Sequence, residues 1–261
     1  MTVAENVGYA LSLKGLASAE VYSRVQSLLA RVGLFGFEQR RVTALSGGES
    51  QRVAIARALA DPQPVLLLDE IQAGLDRQTR TLIRDMIIDL CHNLGATTTF
   101  VTHDSEEALS LATQLEGIVA VMDRGRILRI GAPGDLYLDP QSATVARILG
   151  DANLISPAAA VAGGVPESLA RVLVTRFTSS GPCELLFWRP ERTNLRRIRV
   201  DDIALTVECE RLDFTGSAAA IVGSLGGEPI RIRLPADLQS AFSRGPLTVY
   251  IERPDLSGVT A

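Results

Sequence analysis

The sequence predicts an α/β fold that gives way, near residue 150, to a smaller all-β domain. Three observations carry this. Helix and strand signals alternate through the first 150 residues, an apolar run of strand length ends in two carboxylates, and beyond Gly150 short segments of period two are separated by turn residues. At 261 residues and 46% hydrophobic content the chain can build one core or two. We expect two domains, 1–150 and 151–261.

The elements follow in order. From Glu20 to Val32, the residues Val21, Val25, Leu28, Leu29 and Val32 form a helical stripe that Gly33 closes. A second helix runs from Gly48 to Ala60 and stops before Asp61-Pro62. Val65 to Leu68 is a continuous apolar run ending in Asp69-Glu70, the pattern of a buried parallel strand. Arg77 to Leu94 reads as a helix with Leu82, Ile83, Met86, Ile87, Leu90 and Leu94 on one face and Gly95 as its stop. Thr97 to Thr102 is β-branched and aromatic, hence a strand, and Ser105 to Leu115 is again a helix. Gly117 to Met122 and Arg126 to Ile130 are strands around Arg124-Gly125.

Ser156 to Pro166, rich in Pro, Ala and Gly, shows no helical stripe. Farther on, Ile203, Leu205, Val207 and Cys209 alternate with Ala204, Thr206, Glu208 and Glu210. Ile230, Ile232 and Leu234 alternate with Arg231 and Arg233, and Leu247, Val249 and Ile251 with Thr248, Tyr250 and Glu252. Gly226-Gly227 is a hairpin signal. Strands of this kind hide their apolar faces and edges by packing or closing on each other, which suits an OB-like barrel.

Composition narrows the function classes. A net charge of −4 argues against a protein that grips nucleic acid by bulk charge. Lys14 is the one lysine, so the cationic chemistry is that of arginine. Cys91, Cys183 and Cys209 are odd in number and far apart, which excludes a disulfide framework and paired-cysteine metal sites. No apolar run approaches the ~18 residues of a bilayer span, and Met1 to Ala10 has no basic start of a secretory signal. The expectation is a cytoplasmic chain.

Three stretches carry chemistry. In Leu45-Ser46-Gly47-Gly48-Glu49-Ser50-Gln51-Arg52, Ser46 and Glu49 have the spacing of a capping box, which alone explains a helix start. The glycines allow a second reading, in which an anion approaches the free N–H groups of the helix N-terminus. In Val65 to Glu70, the two carboxylates either end a strand or face a ligand beyond the carboxyl end of a parallel sheet. There Asp69 can hold Mg²⁺ through water and Glu70 can act as a general base. In Phe100-Val101-Thr102-His103-Asp104, Asp104 and Glu107 make a second capping box, whereas His103 has no structural explanation. At the same end of the sheet it can meet a γ-phosphate or an attacking water. His92, within a helix, reads as a surface residue.

Taken jointly, these stretches resemble the ABC-type ATPases. Leu45 to Leu59 is similar to the signature motif and its helix, Val65 to Glu70 to a Walker B strand with its catalytic glutamate, Gly74-Leu75-Asp76 to the D-loop, and Thr102-His103-Asp104 to the H-loop. Met1 to Val7 resembles the start of the helical subdomain. Met122 to Gly131, with Pro133, Tyr137 and Pro140, resembles the end of the ATPase domain in importer subunits. Trp188-Arg189-Pro190-Glu191 resembles a strand motif of the transport-associated OB (TOBE) domain found in importers of polyamines, ferric iron, sulfate and sugars. The implied fold is a partial P-loop ABC ATPase domain, comprising helical subdomain and parallel-sheet half, followed by a small OB-like domain.

Two departures stand out. The phosphate-binding loop G-x-x-x-x-G-K-[ST] is absent, since Lys14 is followed by Gly15 and no loop glycines precede it. Ile71 stands where the family usually has proline, and Glu49 where glutamine is common.

The resemblance implies ATP and Mg²⁺ as cofactors and ATP hydrolysis that energises solute import, in a chain lacking its own phosphate loop and Q-loop. Ser46, Gly47, Gly48 and Glu49 would contact ATP held by a paired subunit. Asp69 would serve Mg²⁺, Glu70 the attacking water, His103 the γ-phosphate, and Asp76 the dimer contact. The implied partners are a second such subunit, transmembrane permease subunits and a solute-binding protein, at the cytoplasmic face of the membrane.

The competing expectation is a non-catalytic remnant or regulatory partner that lends a signature motif or TOBE domain to a complete ATPase. DNA-repair ATPases share the signature but carry long coiled coils or zinc cysteines, which this sequence lacks. The basic run Arg189, Arg192, Arg196, Arg197 and Arg199 beside Phe187 and Trp188 has the ingredients of a stacking groove, but reads first as a solvated face.

Overall fold

A computed structural model describes residues 1–61, 63–72, 75–95, 97–172, 175–177, 183–214, 218–235 and 244–251. Pro62, Gly74 and Glu252, singled out above, lie outside the described residues. The chain divides into two compact units, Met1–Ile118 and Val119–Ala261.

The first unit opens with helices α1 (Val3–Val7), α2 (Tyr9–Leu13), α3 (Ser18–Arg31) and α4 (Gly47–Ala60). Three of these bury one stripe each. Val3 and Val7 of α1, Val25 and Leu29 of α3, and Val53, Ile55 and Ala56 of α4 meet in a single apolar cluster. Strand β1 (Val65–Asp69), helix α5 (Arg77–Leu94), strand β2 (Thr97–Val101) and helix α6 (Ser105–Gln114) complete the unit. Ile83, Met86 and Ile87 of α5 join the same cluster, and Gly95 ends the helix at φ 60°. Leu82, expected on that face, is 39% exposed instead.

Strands β1 and β2 pair in parallel, Val65 with Thr97 through Asp69 with Val101. Leu68 is buried and Leu66 packs partly against the cluster, but Val65 and Leu67 are 57% and 75% exposed. This corrects the expectation of a strand buried throughout. Successive side chains of a strand point to opposite faces, and among the described residues the cluster lies against one face only.

In the second unit, β3 (Val119–Asp123) and β4 (Arg126–Gly131) form an antiparallel hairpin through Arg124 and Gly125, both at positive φ. Helices α7 (Pro133–Leu138) and α8 (Ala143–Ile148), strand β5 (Asn153–Ile155) and helices α9 (Pro157–Ala162) and α10 (Glu167–Val172) follow. Helix α9 falls where no helix was expected. Its signals are local, namely Ser156 as cap and Pro157 at the first position, and its three consecutive alanines leave no stripe to read.

The remaining strands are β6 (Thr175–Phe177), β7 (Cys183–Trp188), β8 (Thr193–Asn194), β9 (Ile203–Phe214), β10 (Ala218–Leu225), β11 (Glu228–Pro235) and β12 (Gly245–Ile251). They form an antiparallel sheet in the order β11-β10-β9-β12-β8 and a three-stranded sheet β5-β7-β6. Period two holds. Ile203, Leu205, Val207 and Cys209 of β9 are buried together with Ile230, Ile232 and Leu234 of β11 and Val249 and Ile251 of β12. Gly226 and Gly227, at φ 56° and 87°, turn β10 into β11. Asn153 ties β5 to the edge strand β11, donating to the Arg231 carbonyl at 2.8 Å and accepting from the Arg231 N–H at 2.8 Å. One side-chain amide thus replaces a rung of ladder between the two sheets.

Arg189 is not part of a solvated basic run. It is 1% exposed, and its guanidinium donates to the carbonyls of Tyr137 (3.0 Å), Ala146 (2.9 Å), Gly150 (3.3 Å) and Asp151 (2.9 Å). It lies 3.9 Å over the Tyr137 ring, whose hydroxyl donates to Glu191 at 2.7 Å. Residues 137–151 are therefore held to the Trp188–Glu191 segment within one compact unit. Arg196, Arg197 and Arg199 are exposed, as a solvated face requires.

Candidate functional site

The parallel register decides the geometry of the site. Because Asp69 pairs with Val101, the residues after each strand emerge side by side, and the Glu70 N–H donates to the Val101 carbonyl at 2.9 Å. His103 then stands with Nδ1 3.3 Å from Glu70 Oε1. Both side chains are largely open to solvent, at 76% and 53%. Glu70 adopts φ 46°, a left-handed conformation that costs a side-chain-bearing residue of order 1–3 kcal/mol. Asp69, also exposed, ends β1 beside it.

The Glu70 carbonyl accepts from Gln51 Nε2 at 3.2 Å, so helix α4 touches the backbone of this acidic turn. At the start of α4 the capping box forms, with Ser46 Oγ accepting from the Glu49 N–H (3.3 Å) and Glu49 Oε2 from the Ser46 N–H (2.8 Å). The Ser46 N–H, and after it the Ser46 side chain, hold the Glu49 carboxyl below its ordinary range. A Cβ built on Gly47 would meet nothing within 4 Å, and on Gly48 only Leu75 Cδ2 at 3.5 Å. The box and the open glycines coexist, so the capping reading does not displace the anion-binding one.

Asp76 caps α5. Its Oδ1 accepts from the Thr79 N–H (3.0 Å) and its Oδ2 from the Thr79 hydroxyl (2.6 Å), and both lower its pKa. Arg80 Nε donates to the Leu75 carbonyl at 2.9 Å, fixing the segment ahead of the helix.

A cleft at the strand ends is lined by Glu70, Gln72, Arg80, Thr102, His103, Asp104 and Glu107. Gln72 and Arg80 went unnoticed in the sequence, Thr102 was read only as part of the stretch around His103, and Asp104 and Glu107 only as caps. No spacing signals them, because the parallel pairing of β1 and β2 is what gathers them. Glu107 departs from its expected role. Asp104 Oδ1 accepts from the Glu107 N–H at 3.1 Å, but the Glu107 carboxylate accepts from the Thr102 hydroxyl at 2.7 Å rather than returning to the Asp104 N–H. Burial pushes the Glu107 pKa up, against the lowering effect of the Thr102 bond.

Among the described residues no three or more His, Cys, Asp or Glu side chains are placed together so as to hold one metal ion. A Mg²⁺ ion needs no such cage. It is typically held by one or two carboxylates, with waters and substrate phosphates filling the other positions, and exposed Asp69 beside Glu70 offers that donor set. Among the described residues no helix is long and apolar enough to cross a membrane.

Comparison with known proteins bears on the family. A family model described as "ABC transporter" matches residues 1–73. The Fe(3+) ions import ATP-binding protein FbpC of Escherichia coli O157:H7 is 46% identical over 154 residues, 59% of this chain and 43% of that protein. The spermidine/putrescine import ATP-binding protein PotA of Mesorhizobium japonicum is 41% identical over 243 residues, 93% of this chain and 64% of that protein. The sulfate/thiosulfate import ATP-binding protein CysA 2 of Chromobacterium violaceum is 43% identical over 197 residues. The chain thus spans 43% to 64% of the length of these relatives. Among solved structures, the dimeric MJ0796 ABC transporter cassette matches with a TM-score of 0.46 and 31% identity, over 51% of this chain and 57% of that one. The chain is thus similar over most of its length to import ATP-binding proteins, and its first 73 residues match the ABC transporter family.

Proposed function

We propose that this chain is the signature-bearing part of an ATP-hydrolysing importer subunit, working against ATP whose phosphates are gripped by residues outside these 261. The observation that carries the reading is the Glu70–His103 pair, 3.3 Å apart at the ends of two parallel strands, with Asp69 alongside. Glu70 is placed to orient and deprotonate an attacking water, and His103 to hold the γ-phosphate or that water in line. Ser46, Gly47 and Gly48 present the N-terminus of a 14-residue helix to the phosphate of a paired subunit, where backbone N–H groups stabilise developing negative charge. Mg²⁺, when bound, supplies neutralisation of the phosphate oxygens, and Asp69 would hold it. Asp76, with Leu75, contacts the second subunit. The C-terminal residues from 151 form a TOBE-type regulatory domain. Permease subunits and a solute-binding protein complete the importer, at the cytoplasmic face of the membrane.

A second reading rests on the sequence, in which no G-x-x-x-x-G-K-[ST] occurs: the chain lends its signature motif or TOBE domain to a complete ATPase and does not turn over itself.

The test supplies the phosphate loop in frame ahead of Met1, taken from the FbpC relative, and measures phosphate release with Mg²⁺ and ATP. The chimera should hydrolyse ATP, and Glu70→Gln should lower the rate by ~10²–10⁴ while ATP still binds. A Glu70→Gln chimera within about twofold of its parent would remove the base role from Glu70. An inactive chimera that nevertheless stimulates a complete ATPase would support the second reading.

A further inference from the structure

Among the described residues, three helix starts have an acceptor residue followed three positions later by glutamate: Thr2/Glu5, Ser46/Glu49 and Asp104/Glu107. The first two are wired alike. Glu5 Oε2 accepts from the Thr2 N–H at 2.8 Å, and Glu49 Oε2 from the Ser46 N–H at 2.8 Å. The third is wired differently. The Asp104 N–H donates to Thr102 Oγ1 at 3.0 Å, and the Thr102 hydroxyl donates its one proton to Glu107 Oε2 at 2.7 Å. A hydroxyl has been inserted into the box, and it belongs to the residue immediately before His103.

Capping does not require this arrangement. The two regular boxes satisfy the same backbone donors without a third residue, and the insertion leaves Glu107 Oε1 buried with no hydrogen-bond partner among the described residues. What the insertion does accomplish is local. The His103 side chain is 76% exposed, so packing does not set its direction. Its backbone is instead pinned on both sides, by Thr102 through its hydroxyl and by Asp104 as the cap of α6. The ring's partner, Glu70 Oε1, is 3.3 Å away, a distance that a small rotation of the His103 backbone would open.

We propose that Glu107 is a positioning residue for His103, acting through the Thr102 hydroxyl to keep the imidazole against Glu70. The inference rests on the site reading given above and deepens it. With an apolar residue at position 107, the Thr102 proton has no acceptor and the hydroxyl is free to rotate away from the Asp104 N–H. Arg80, which lines the same cleft and anchors the Leu75 carbonyl, places a positive charge near the Glu107 carboxylate and favours its accepting role.

The test needs no turnover. The whole chain is prepared with ¹⁵N-labelled histidine, and the imidazole nitrogens of His103 and His92 are followed, His92 on α5 serving as the internal control. In the parent chain, Glu70→Gln should move the His103 signals and leave those of His92 in place. In Thr102→Val and in Glu107→Leu that response should be lost. In Thr102→Ser, and in Glu107→Gln, whose amide oxygen still accepts, it should remain. A full His103 response in a folded Thr102→Val chain overturns the proposal. If Thr102→Val does not fold, the Glu107→Leu and Glu107→Gln chains decide, and equal responses in the two overturn it. Absence of any His103 response to Glu70→Gln in the parent is a different result, since it removes the Glu70–His103 contact itself and the proposed reaction with it.

Discussion

Replacing Arg189 with Met should unfold the second compact unit far more readily than a surface change would. The magnitude follows from its surroundings. Arg189 serves four backbone carbonyls at 2.9–3.3 Å, and bonds to a charged donor contribute ~1.5–3 kcal/mol each. Part of that is offset, because burying a guanidinium itself costs several kcal/mol, here visible as a lowered Arg189 pKa caused by burial. Methionine keeps the stem packing but leaves the carbonyls orphaned, so the net loss should be about 3–5 kcal/mol, or about 10–15 °C in Tm for a unit of this size. Trp188, the one tryptophan, adjoins Arg189 on β7 and reports this unit's unfolding by fluorescence separately from the first unit. Arg189→Lys should fall between, since an ammonium cannot fork toward carbonyls on both sides. A Tm drop under about 3 °C for Arg189→Met, or a lysine variant equal to the parent, would refute the argument.

Three further outcomes are expected. The Tyr137 pKa is pushed up to about 12, chiefly by burial and then by its bond to Glu191; a raised tyrosine pKa gives stability that is complete below about pH 10 and is lost as pH climbs toward 12, so urea midpoints of Tyr137→Phe should fall less over that window than those of the parent. Ser46→Ala removes the acceptor that caps α4 and should cost about 0.5–2 kcal/mol in a urea titration, with the Glu49 carboxyl titrating closer to its ordinary range by carboxylate NMR. Gly223→Ala should be severely destabilising by thermal melt, of order 2–3 kcal/mol or more, because its Cβ would sit 2.2 Å from the Glu208 carbonyl at the register shift between β9 and β10; a neutral result would mean that the bulge relaxes freely.

Much of the fold was legible because its signals are local. Strands β9, β11 and β12 declare themselves by alternation, the β10–β11 turn by two glycines, and α5 by its stripe and its terminal Gly95. Strand β1 was misjudged as buried throughout because a run of apolar residues specifies its own pairing but not what covers each face. Helix α9 was missed because alanine, neutral in any stripe, carries no period. At the site, Asp69, Glu70 and His103 were readable as residues ending strands, yet the contact of Glu70 with His103 depends on the β1–β2 register, a long-range property. The rewired box at Glu107 was beyond reach for a related reason: the spacing is that of an ordinary cap, and only the neighbouring Thr102 hydroxyl changes its partners. Arg189 misled in the opposite sense, since four backbone carbonyls leave no trace in a sequence and a run of arginines suggested a solvated face.

The left-handed backbone of Glu70 bears on how this sequence would drift under laboratory selection. Glycine adopts that conformation without penalty, so a library screened for heat resistance alone should enrich Glu70→Gly, exchanging the carboxylate at the mouth of the cleft for a relaxed turn. A screen for turnover should hold glutamate against that pull. The position would then show opposite preferences under the two regimes, and the gap between them would register how much strain the fold tolerates in order to keep an acid there.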